Sequence, residues 1–162
     1  MINRRALVLG GACGLAGFSA QADVYEGPVV TRIQVFKSLR TLQLIHERQL
    51  LAQFDLQLGF DPVGHKQKEG DGRTPEGAYY INRRNPNSRY HLSLGISYPS
   101  AADVARARSA GVDPGGDIFI HGTPDNYLGK ADWTWGCLAV KNDEMEQIYA
   151  MVETGTKIFI YA

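Results

Sequence analysis

The sequence predicts a mainly β domain with two short helices, and three observations carry that reading. Apolar and polar residues alternate with period two through "TRIQVFKS" (residues 31–38) and "RTLQLIH" (40–46), the mark of strands with one buried face. Short apolar runs bounded by turn residues recur in "QLLAQFDLQLGF", "GDIFIHG" and "TKIFIYA". Helix start and stop signals coincide after Ser100 and after Asn142.

The elements follow in chain order. Arg4 and Arg5 precede an apolar stretch from Ala6 to Phe18 and a small-residue site, Ala20-Gln21-Ala22, so residues 1–22 are expected to form a secretory signal peptide. The stretch is shorter than the roughly 20 residues that span a bilayer, and no later segment approaches that length. Residues 23–162 then suit a single domain located in the periplasm, with no transmembrane segment. The first three strand patterns predict an antiparallel meander. "FDPVGHKQKEGDGRTPEGAYYI", rich in Gly, Pro and charge, predicts a long ordered loop ending in a strand over Ala78–Ile81. Loops of that length in compact domains are commonly functional.

Ser100 is the expected N-cap of a helix through "AADVARARSA", with Asp103 closing an imperfect capping box and Gly111 beyond the end. Asn142 is the expected N-cap of "DEMEQIYAMVET", whose Met145, Ile148, Tyr149 and Val152 form an apolar stripe stopped by Gly155. Basic and acidic residues balance at 17 each without a long run of either sign, so nucleic acid is not an expected partner.

Cysteine usage narrows the chemistry. Cys13 departs with the leader, which leaves Cys137 without an intramolecular partner and excludes a disulfide framework. A lone exported cysteine is either a small buried hydrophobe or a working thiol. A working thiol needs help, because the unperturbed pKa of cysteine is about 8.5 and an adjacent imidazole is the usual activator. His121 ends the apolar run "DIFI" and is favoured for that role, while His46, His65 and His91 compete; His91, alternating with Tyr90 and Leu92, is placed to face the site. A zinc site would combine Cys137 with histidines, but no pair has the short spacing of a metal knuckle, so no metal or other cofactor is expected.

"IFIHGTPDN" followed by "DWTWGCLAV" resembles the signature of the YkuD-type (ErfK/YbiS) L,D-transpeptidases, in which a histidine-glycine strand end precedes a Ser/Thr-x-Gly-Cys loop. "GFDPVGHKQKEGDGRTPEGAYYI" is similar to the loop before that family's central strand, and the resemblance spans roughly residues 32–161. It implies a β-sandwich-like fold and a cysteine acyltransferase that acts on peptidoglycan stem peptides and is acylated by carbapenems. Carried over by position, Cys137 is the nucleophile and His121 the base. Gly122, Thr134 and Gly136 support the site, with backbone N–H groups around Gly136 and Cys137 as oxyanion donors.

The sequence departs from the pattern at Trp135, where many members have histidine, and at Ala139, where many have Asn or Arg. These departures resemble a branch that includes an enzyme cleaving crosslinks to a lipoprotein, so the direction of acyl transfer stays open between transpeptidation and hydrolysis. A non-catalytic wall-binding module of the same fold is the other class. Trp135 either walls a substrate groove or packs. Arg73 and Thr74 either bind a substrate carboxylate or build a turn around Gly72 and Pro75.

Overall fold

The computed structural model describes residues 25–162, so the expected signal peptide lies outside the described residues. Eight strands and two helices follow in order: β1 (Arg32–Phe36), β2 (Thr41–His46), β3 (Gln49–Asp55), β4 (Gly77–Ser88), β5 (His91–Ile96), α1 (Ala101–Ser109), β6 (Phe119–His121), β7 (Leu138–Ala139), α2 (Asn142–Met151) and β8 (Lys157–Tyr161). The fold is mainly β with two helices, as the sequence predicts. Among the described residues no helix is long and apolar enough to cross a membrane.

The strands run β3-β2-β1-β8-β4-β5-β6-β7. The meander β1-β2-β3 is antiparallel, whereas β1 pairs with β8, and β6 with β7, in parallel. Alternation explains the centre: Ile33 and Val35 of β1 pair with Ile158 and Ile160 of β8, and all four are buried. Beyond β3 the chain returns to the far edge of the strand order, where Gln57 bridges Ala139 and Gly59 bridges Thr134. The segment carrying the cysteine is thereby held between β6 and the chain that follows β3.

β4 is longer than the expected strand at Ala78–Ile81. Its first residues, Gly77 to Tyr80, pair with β8 and its later ones, from Ile81, with β5, and an irregularity between Ile81 and Arg83 interrupts the pairing with β5. Most residues from Asn82 to Ser88 are exposed or polar, so they carry no alternation by which a strand could be read.

The first helix forms as expected. Ser100 Oγ accepts the Asp103 N–H and the Asp103 carboxylate accepts the Ser100 N–H at 2.9 Å, completing the capping box. The second starts one residue earlier than expected: Lys141, not Asn142, is the N-cap. The Glu144 carboxylate accepts the Lys141 N–H at 3.1 Å, so the reciprocal half of a capping box sets this end. Met145 and Ile148 of α2 and Val152 at its C-cap are buried, and α2 packs over β5 and β6.

Candidate active site

β6 and β7 set the frame. Their parallel register pairs Ile120 with Leu138, both fully buried, and His121 with Ala139. The side chain two positions before Ala139 points to the same face as His121. Cys137 and His121 thus line one cavity of about 280 Å³ together with Tyr90, Arg89, Asp117 and Phe119.

The histidine is only 3% exposed, and its Nδ1 lies 2.7 Å from the Gly122 carbonyl. A carbonyl can only accept, so Nδ1 carries the proton and Nε2 is left as the basic nitrogen. Gly122 is itself fixed by donating its N–H to the Tyr90 carbonyl at 3.0 Å, and a Cβ there would lie 2.3 Å from Asn142 Oδ1. Burial pushes the imidazole pKa below its ordinary 6.5, against the Gly122 hydrogen bond that raises it.

Burial also pushes the Cys137 thiol up, to about 11, with the Phe119 amide and the Lys66 ammonium working in the opposite direction. The resting pair is therefore thiol and neutral imidazole rather than thiolate and imidazolium. Sγ sits 3.6 Å from the Asp117 carbonyl, so the thiol must turn toward the imidazole to transfer its proton.

The other three histidines are engaged elsewhere. His46 Nδ1 meets the Val29 carbonyl at 2.7 Å. His65 Nδ1 accepts the Glu76 N–H, which leaves Nε2–H to donate to Asp103 at 3.1 Å and ties the long loop to α1. His91, expected to face the site, points instead to Glu146 on α2, with Nε2 and the carboxylate 2.8 Å apart. Tyr90 takes its place: the phenol ring stacks on the imidazole at 4.6 Å. His91 begins β5 with a φ of +70°, a break in the regular extended backbone that alternation with Tyr90 and Leu92 presumes.

The two tryptophans of "DWTWGCLAV" divide in a way that spacing does not reveal. Trp133 approaches His121 edge-on at 5.7 Å and stacks on Tyr127 at 4.1 Å. Trp135 is 69% exposed and, among the aromatic rings of the described residues, meets that of Phe60, edge to face, at 4.9 Å. It does not line the cavity of the thiol. Tyr90, Trp133 and Arg89 are the site residues that sequence reasoning missed.

Thr134 is buried and organises the turn. Its hydroxyl donates to the Cys137 carbonyl at 2.8 Å and accepts the Gly136 N–H at 3.1 Å. That corrects the expected oxyanion pair: the Gly136 amide is already used, whereas the Cys137 amide makes no hydrogen bond among the described residues. Asp132, at the head of the loop, accepts from the Arg40 guanidinium and from the Leu58 amide.

Gly136 has a φ of +117°, and a Cβ there would lie 2.5 Å from the Arg73 carbonyl. Glycine is required because the long loop, not the substrate, comes this close. Gly136→Ala is expected to cost about 2–3 kcal/mol, the scale of a strained backbone site, in a urea unfolding measurement.

The same contact relocates Arg73 and Thr74. The Arg73 guanidinium is paired with Asp61 at 2.8 Å. Thr74 is fully buried, its hydroxyl accepting the Gly59 N–H at 3.4 Å, so it cannot reach a substrate carboxylate. The loop holds its shape through Asp71. Burial works to raise this carboxyl, but the Gln67 amide, the Lys66 ammonium and the Arg73 and Lys68 amides outweigh it and bring the pKa from 3.8 to about 2. A depressed carboxyl stabilises the fold above its unfolded pKa and loses that contribution as pH falls through the folded one. Asp71→Asn should therefore cost about 2 kcal/mol at neutral pH in urea unfolding, and the gap from wild type should close between pH 3.8 and about 2.

Known proteins resemble this chain in sequence and in fold. The chain is 33% identical over 133 residues to Escherichia coli (strain K12) YafK, which its name assigns provisionally to the L,D-transpeptidases; the match covers 78% of this chain and 48% of YafK. The chain thus spans about half the length of the curated relatives it matches. The helical cell shape determining protein Pgp2 (K307A mutant) of Campylobacter jejuni superposes with a TM-score of 0.66 at 26% identity, over 85% of this chain and 48% of Pgp2. The L,D-transpeptidase LdtMt1, solved in complex with imipenem, shares the fold with a TM-score of 0.54 at 15% identity, over 81% of this chain and 58% of that one. The family model for the L,D-transpeptidase catalytic domain matches residues 30–160, and the chain belongs to this YkuD family.

Proposed function

We propose that the chain is a periplasmic cysteine acyltransferase acting on peptidoglycan stem peptides. The observation that carries the reading is the shared cavity of Cys137 and His121, with Nδ1 held by the Gly122 carbonyl and Nε2 left basic. The thiol proton passes to Nε2 as the sulfur attacks the carbonyl of the diaminopimelate residue in a stem tetrapeptide. The Cys137 amide meets the developing oxyanion. The C–N bond to D-alanine breaks, and the imidazolium returns its proton to the leaving amine. The resulting thioester passes its acyl group to an acceptor amine, on another stem peptide, a D-amino acid or a lipoprotein, or to water. These steps require neither a metal nor an organic cofactor.

The test is incubation of the chain from Asp23 onward with isolated sacculi, followed by mass analysis of retained and released muropeptides. Loss of D-alanine with new crosslinks or D-amino acid exchange supports transfer to amines; loss of D-alanine alone, or release of an attached lipoprotein, supports hydrolysis. Sacculi left unchanged defeat the proposal. Export by residues 1–22 is tested by the mass of the exported protein, which should begin at Asp23; a mass retaining Met1 defeats it.

A further inference from the structure

One cation on the wall of the catalytic cavity has no part in the chemistry above. Arg89 lies at the tip of the β4–β5 hairpin and lines the cavity beside Cys137 and His121. Most arginines of the described residues are spoken for: Arg40, Arg73, Arg83, Arg84 and Arg106 pair with Asp132, Asp61, Asp117, Glu153 and Asp103. Arg32, Arg48 and Arg108 lack a carboxylate, as Arg89 does, but belong to β1, to the β2–β3 turn and to α1. The other charged wall residue, Asp117, pairs with Arg83 at 2.7 Å. Arg89 is thus the charged wall residue without a counter-ion among the described residues.

The backbone that carries that charge is held. Ser88 pairs with His91 across the two-residue tip, and the Tyr90 N–H donates to Ser88 Oγ at 3.1 Å. The Tyr90 carbonyl accepts the Gly122 N–H, and its ring covers the imidazole. Arg89 is thus the immediate neighbour of the residue that packs on the catalytic base. A guanidinium presents paired N–H groups that match a carboxylate.

We propose that Arg89 binds a free carboxylate of the substrate, an inference that rests on reading the cavity as a peptide-acylating site. A stem tetrapeptide offers three such groups near the attacked carbonyl: the C-terminal carboxylate of D-alanine, the free carboxylate of diaminopimelate and the α-carboxylate of the γ-linked D-glutamate.

Alkylation of Cys137 tests the charge without any peptide. The ratio of the iodoacetate rate to the iodoacetamide rate reports attraction of a carboxylate to the thiol, because the two reagents differ in that group. Arg89→Gln should lower the ratio about fivefold, the scale of two unit charges about 4 Å apart in water, and Arg108→Gln should leave it unchanged. An unchanged ratio in folded Arg89→Gln protein overturns the proposal. With a tetrapeptide muropeptide, Arg89→Gln should raise KM about tenfold or more with kcat within a factor of two. The source is then assigned with three peptides, each amidated at one of these carboxylates: whichever amide abolishes the difference between wild type and variant marks the carboxylate held. A KM difference that survives all three amides overturns the carboxylate assignment. If wild type turns over no muropeptide, the acyltransferase reading fails, and the alkylation ratio still decides whether Arg89 attracts carboxylates.

Discussion

Incubated with imipenem, the wild-type chain is expected to gain the mass of one covalent adduct, and the Cys137→Ala chain none. The thiol is the group in the cavity able to form a thioester, and it lies beside an imidazole with a free basic nitrogen. Removing Sγ deletes a partly exposed atom whose hydrogen bond is a long one, 3.6 Å to the Asp117 carbonyl, so the variant should fold with a melting temperature close to wild type. Intact-protein mass spectrometry reads the result. An adduct that persists in Cys137→Ala would place the reactive group elsewhere. A folded wild type that takes no adduct would favour the non-catalytic wall-binding module.

His121→Gln is expected to slow acylation of Cys137 by about 10²–10⁴-fold, the range for loss of a positioned general base. The effect should be large here because burial raises the thiol pKa to about 11, leaving little thiolate at neutral pH without a base. His91→Gln should keep the rate within about twofold of wild type, a change below 0.5 kcal/mol, since His91 points to Glu146 outside the cavity. The pH dependence has a definite sign. Burial lowers the His121 pKa, so the neutral base persists below 6.5, and the acylation rate should fall only as pH drops through that lowered value. Stability moves in the same direction: the unfolded chain binds the proton more readily, so wild type should lose stability as pH falls below 6.5. That slope should shrink in His121→Gln. A stopped-flow acylation series and urea unfolding across the same pH range check both. Equal loss in His91→Gln and His121→Gln would mean the base is wrongly assigned.

Much of the fold is legible in the residue pattern, and for a local reason. A strand with one buried face imposes period two on its own residues, so β1, β2 and β8 announce themselves in "TRIQVFKS", "RTLQLIH" and "TKIFIYA". The Ser100–Asp103 box is equally local, its partners three residues apart on one turn. Cys137 and His121 are readable because a lone thiol and a strand-end imidazole are uncommon residue types in such positions, and the family pattern orders them.

Alternation tells which face a residue lies on, but not what stands opposite. Non-local contacts alone make Tyr90 the cover of His121, aim His91 at Glu146, and split Trp133 from Trp135. The same holds for Thr74, which reads as a carboxylate ligand or part of a turn and is sealed beneath Gly59. Gly136 illustrates the limit most clearly. Its residue type marks a close approach, yet only the folded chain identifies the approaching group as the Arg73 carbonyl and shows its amide bonded to Thr134. The residue types needed for acyl chemistry are a property of the sequence. Which of their hydrogen-bonding groups remain free is decided when distant segments close on one another, because each contact made in folding occupies donors and acceptors that no local pattern records.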